Sequence, residues 1–115
     1  MNSPDFVNMH RYQAIERIVY QKVKELKPKV IVELGHGSGA LTSAMGLALK
    51  EINNKGKIYS HDINGTSNYT LGSMSRSALK NIEERNLTDI VEFTEGDVFN
   101  TWVKTPFSFD LLVID

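Results

Sequence analysis

The chain alternates short apolar runs with longer stretches in which apolar residues return every three or four positions. From Phe6 through Met9, Tyr12, Ile15, Ile18, Val19, Val23 and Leu26, that spacing predicts a helix over 4–27 with one apolar face. Ser3-Pro4-Asp5 supplies its start: a hydroxyl cap, a proline at the first helical position and an acid in the first turn. Lys27-Pro28 supplies its end, because the residue before a proline is pushed out of the helical region. Val30–Leu34 is a brief apolar run and reads as a buried parallel strand. Gly35-His36-Gly37-Ser38-Gly39 interrupts it, and a helix over about 39–52 follows, closed by Asn53-Asn54-Lys55-Gly56.

Lys57–Ile63 reads as a second strand with an acid near its carboxyl end. Asn64–Ser73, rich in Gly, Ser, Thr and Asn and without periodicity, reads as a surface loop in which Tyr69 is the one aromatic residue. Met74, Ala78, Leu79 and Ile82 mark a third helix that ends near Asn86. Ile90–Glu95 alternates as a third strand, Val98–Lys104 is a short helix carrying Trp102, and Phe109–Asp115 is a fourth strand. Strands alternating with helices imply right-handed crossovers and a mostly parallel sheet, hence an α/β fold. No repeat, linker or low-complexity stretch divides the chain, so 1–115 is expected to be one domain.

Composition narrows the chemistry. The chain has 115 residues, 13 Lys and Arg against 14 Asp and Glu, and a net charge of −1 with both signs interspersed. Such a balance points to neither a nucleic-acid nor a membrane partner. There is no cysteine, which excludes disulfides, thiolate metal sites and thiol catalysis. With a polar amino terminus and no apolar run approaching membrane-spanning length, the expected location is cytoplasmic.

The candidate chemistry gathers at the ends of the first three strands. In Gly35-His36-Gly37-Ser38-Gly39-Ala40 the backbone turns sharply and a helix starts, so its N–H groups and positive dipole end favour a polar or anionic ligand. As G-x-G-x-x-G/A, with Ala40 third, it is a dinucleotide fingerprint; as an acid followed by G-x-G-x-G it has a second meaning. Glu33, two residues before the first glycine, would repel a pyrophosphate but suits a cation. Asp62, with Ile63 after it, stands where a carboxylate accepts from vicinal ribose hydroxyls in either meaning. Glu95-Gly96-Asp97-Val98 then places another acid after the third strand.

With these acids following successive strands, the chain resembles the cofactor half of a class I S-adenosylmethionine-dependent methyltransferase. The resemblance implies a Rossmann-like three-layer αβα fold with strand order 3-2-1-4, the cofactor lying across the carboxyl ends of strands 1 and 2. It also implies that 28–115 is the cofactor-binding half-domain. The cofactor-binding set is then Glu33, Gly35, His36, Gly37, Ser38, Gly39, Asp62, Ile63, Asp97, Val98 and Asp115, with Asp97 and the Val98 N–H reading the adenine. Family members continue past the fourth strand with parts that hold much of the acceptor, so this chain is expected to be a methyltransferase family member truncated there, with the activity of the fragment left open. Relatives of the catechol type ligate a metal with an acid at the position of Asp115. One carboxylate does not make such a site, so no metal is expected.

No catalytic residue is named by the sequence. His10, His36 and His61 are the available bases, with structural roles the simpler reading of each. The fourth strand is apolar on both faces and would be an edge, so it is expected to pair with a second copy as a homodimer. Two other readings stand beside the methyltransferase: an NAD-type dinucleotide-binding domain, and a non-catalytic regulatory or assembly module of the same fold.

Overall fold

A computed structural model describes residues 13–63, 69–71, 74–76, 78–96 and 108–114. The first helix, α1, covers Gln13–Leu26 of its expected span. It ends where Lys27 turns to a φ of 50° ahead of Pro28. Then come β1 (Val30–Leu34), α2 (Ala40–Ile52) and β2 (Lys57–Asp62), close to the expected bounds. After β3 (Tyr69–Leu71) and β4 (Met74–Arg76) the chain forms α3 (Ala78–Glu84), β5 (Val91–Glu95) and β6 (Leu111–Ile114).

The principal sheet is parallel in every pairing, with order β5-β2-β1-β6, the expected 3-2-1-4. The buried apolar cluster among the described residues lies on one face, and Val32, fully buried, points to the other. Ile31, Ile58 and Val91 of the sheet meet Tyr20 and Val23 of α1, Ala44, Met45, Ala48 and Leu49 of α2, and Ile82 and Leu87 at and after α3. Ile31, Met45, Leu49 and Ile58 are each at most 2% exposed, and burying such side chains contributes roughly 1.5–3 kcal/mol apiece. The described helices therefore form one layer. The expected short helix at Val98–Lys104, with Trp102, lies outside the described residues.

Three expectations need correction. Asn64–Ser73 is not all irregular: Tyr69–Leu71 pairs antiparallel with Met74–Arg76 in a separate two-stranded sheet. Runs of three residues are too short to show a period. The one signal was the Gly72-Ser73 pair between them, a hairpin-type dipeptide. Met74 accordingly belongs to a strand, and the third helix starts only at Ala78.

The buried face of α1 also differs from the expected one. Glu16, Tyr20 and Val23 are buried, whereas Ile15, Ile18 and Leu26 are 45%, 65% and 56% exposed. At about 100° per residue, Ile18 and Val23 stand about 140° apart, so the apolar list merged two stripes. The buried stripe is anchored by Tyr20, whose hydroxyl donates to Glu51 of α2 while Lys24 pairs with the same carboxylate at 3.0 Å.

Glu16 is a carboxyl group at 0% exposure, and neither of its oxygens has a hydrogen-bond partner among the described residues. Burial raises its pKa to about 7, against the opposing pull of the Arg85 guanidinium. The folded pKa lies above the unfolded one, so this contribution to stability is full below pH 4.5 and lost as pH rises through about 7. Glu16→Gln is expected to remove that slope. It should raise stability above pH 7 by up to roughly 3.5 kcal/mol, the rise from 4.5 to about 7 taken at about 1.4 kcal/mol per pKa unit. Urea unfolding of both proteins across this pH range checks it.

Candidate functional site

The turn between β1 and α2 sits at the carboxyl ends of the central strands. Gly35, Gly37 and Gly39 hold φ values of 85°, 52° and 83°. At Gly39, the N-cap of α2, a Cβ would also come within 3.1 Å of the Ala78 backbone. Only glycine combines that backbone angle with so close a neighbour.

Hydrogen bonds tie the turn to both sides. The Gly35 N–H donates to the His61 carbonyl at 2.7 Å, and the Gly37 N–H to Asp62 Oδ2 at 2.9 Å. The Gly39 N–H donates to the His36 carbonyl at 2.8 Å, and the Asn81 amide of α3 donates to the Ser38 carbonyl at 2.6 Å. Asp62 also accepts from the Gly96 N–H through its main-chain oxygen at 3.0 Å, joining the ends of β2 and β5. The structure thus brings the glycine turn, Asp62 and Gly96 together.

Beneath the turn lies a buried polar network. Glu33 is fully buried, and its Oε1 accepts from the Ser60 hydroxyl at 2.7 Å and from the Thr42 hydroxyl. His36, 3% exposed, places Nδ1 2.7 Å from Ser60 Oγ and its ring edge-on to Phe93, centroids 4.7 Å apart. His61, on the opposite face of β2 by strand alternation, is 2% exposed. Burial pushes its pKa below the ordinary imidazole value, nearby His36 adds to this, and Glu92 opposes it.

Of the expected site residues, Glu33, His36 and Ser38 are buried in the floor and Asp62 is half-buried at the rim. Ile63 is 70% exposed. Asp97, Val98, Asp115 and His10 lie outside the described residues, as does the Tyr69 side chain. Ser60, Thr42 and Asn81 were missed. A signal for Ser60 existed: Glu33 and Ser60 are register partners on neighbouring strands. Two polar residues on one inward face demand each other. Among the described residues no cluster of three or more His, Asp or Glu is arranged to hold a metal ion. No described helix is long and apolar enough to cross a membrane.

A family model described as a methyltransferase domain matches residues 32–115. The chain belongs to this methyltransferase-domain family. No protein of curated function matches it. Among solved structures, a Podospora anserina methyltransferase with S-adenosylhomocysteine bound is 20% identical, with TM-score 0.71 over 100% of this chain and 42% of that one. A Bacillus cereus O-methyltransferase in complex with S-adenosylhomocysteine is 19% identical, with TM-score 0.70 over 97% of this chain and 47% of its own. The Streptomyces achromogenes O-methyltransferase involved in tomaymycin synthesis, in complex with S-adenosylmethionine, is 17% identical, with TM-score 0.70 over 97% and 46%. At these identities the likeness is one of fold, and this methyltransferase domain spans less than half the length of those chains.

Gly39→Ala is expected to destabilise the protein by roughly 1–2 kcal/mol, the cost of forcing a side chain into the left-handed region. A lowered urea midpoint at unchanged slope is the measurement that checks it.

Proposed function

We propose that this chain is the S-adenosylmethionine-binding part of a methyltransferase that transfers the methyl group to an acceptor held largely by other residues. The observation that carries the reading is the bond between the Gly37 N–H and Asp62 Oδ2. It sets the glycine turn and the acid at the end of β2 around one point, beside the N-terminus of α2. A rim made of a carboxylate and backbone N–H groups fits a ligand with vicinal hydroxyls at one part and a carboxylate at another.

When bound, S-adenosylmethionine supplies an activated methyl on a sulfonium. The chain's own residues bind and orient. Asp62 accepts from the ribose hydroxyls, and the turn Gly35–Gly39 shapes the backbone around the methionine end, where the first turn of α2 offers its N–H groups. The resemblance assigns Asp97 and the Val98 N–H to the adenine and adds Asp115 to the cofactor-binding set; all three lie outside the described residues. Glu33 and His36 act from below, through the turn. No residue is assigned as a base. The evenly mixed charge supports a small-molecule partner over nucleic acid and, with the lack of cysteine, a cytoplasmic location.

Thermal unfolding with S-adenosylhomocysteine tests this. At a hundred times its dissociation constant a ligand adds about 2.7 kcal/mol. That shift is expected in the wild type, reduced in Asp62→Ala and Asp97→Ala, and missing with NAD. A folded wild type that does not respond at millimolar ligand would falsify the cofactor reading, and binding without turnover in a longer chain would favour the non-catalytic module.

We also propose that β6 pairs with a second copy of this chain. Among the described residues its ladder partner is β1 on one side, and Leu112 and Ile114 are 38% and 73% exposed. Both observations fit an edge that takes another strand. Sedimentation of the 115-residue chain should give a dimer, and Val113→Pro, which removes a ladder donor, should give a monomer; a monomeric wild type refutes the pairing.

A further inference from the structure

Ser60 stands between two groups that the sequence treated separately. Its Oγ donates to Glu33 Oε1 at 2.7 Å and lies 2.7 Å from His36 Nδ1. A serine hydroxyl has one proton and two acceptor lone pairs. With the proton committed to Glu33, the short contact to Nδ1 is a hydrogen bond only if the imidazole carries its proton there. We propose that Ser60 is a positioning residue of the cofactor site, locking His36 in the Nδ1–H tautomer and so holding the glycine turn. This rests on the S-adenosylmethionine reading above.

The lock acts through the backbone. His36 lies between Gly35, whose N–H is bound to the His61 carbonyl, and Gly37, whose N–H is bound to Asp62. Its ring is held by Ser60 and by the edge-on contact with Phe93. Rotating the ring out of that slot moves the peptide that presents the Gly37 N–H, and with it the spacing between the turn and Asp62. Thr42, in the first turn of α2, donates to the same Glu33 oxygen. One acceptor atom therefore fixes β1, β2, the start of α2 and, through Ser60, the turn. At 3% exposure His36 serves as a second positioning residue and not as a base that meets an acceptor.

Two measurements decide it. Nitrogen NMR of the His36 imidazole, in ligand-free protein at about pH 8 where ordinary imidazoles are neutral, should show the Nδ1–H form in the wild type. Ser60→Ala should abolish that form. Calorimetry with S-adenosylhomocysteine should show Ser60→Ala binding about tenfold more weakly, the scale of one buried hydrogen bond. His36→Asn, whose amide N–H replaces the Nδ1–H donor, should keep most of the affinity that His36→Leu loses.

An Nε2–H tautomer in the wild type, or unchanged affinity in Ser60→Ala, overturns the proposal. So does His36→Asn binding no better than His36→Leu. A wild type that binds no S-adenosylhomocysteine overturns the cofactor reading and the positioning role together, and the tautomer still decides the lock. If Ser60→Ala fails to fold, the wild-type tautomer and the His36 pair settle it.

Discussion

A carboxyl group removed from water must find its donors inside the protein, and Glu33 imposes that demand at the centre of the sheet. Its Oε1 takes the hydroxyls of Ser60 and Thr42, so the strand beside β1 and the helix after it must both arrive in register. A one-residue slip of β2 would turn Ile58 out of the core and Ser60 away from Glu33 together, so the buried acid and its matched serine reinforce the register that apolar packing already favours. The geometry of the turn depends on that register.

Asp62 works at the next level up. Its side chain fixes Gly37 and its main-chain oxygen fixes Gly96, so the ends of β1, β2 and β5 share one residue. Such a rim is set before any ligand arrives, which lowers the ordering cost of binding. The described helices contribute from one side, with α3 touching the turn through Asn81 and leaving no room for a side chain at Gly39.

Much of this was legible in the sequence, for definite reasons. Strands of four to six residues, a three-glycine turn and an acid at a strand end are local signals that tertiary packing did not override. The sheet order came with the family resemblance, not from the residues themselves. What stayed hidden needed non-local information. Ser60 and Thr42 look like ordinary polar residues until register and helix phase put them against Glu33. The buried face of α1 could not be read from apolar positions, because Glu16 lies inside and Ile18 outside. The β3–β4 hairpin is shorter than any period that reveals a strand.

The sheet order also dictates when β1 gains its second neighbour. Asp110 bonds the Lys29 and Val30 N–H groups through its carboxylate, at 2.8 and 3.0 Å, and docks β6 against β1 across a separation of 80 residues. On a ribosome working at roughly 5–20 residues per second, those 80 residues take about 4 to 16 s to appear. Through that interval the central strand exists with one flank unsatisfied, a template for any passing strand. Docking β6 on β1 closes the longest loop among the described strand pairings of this sheet, the kind of contact that slows folding most.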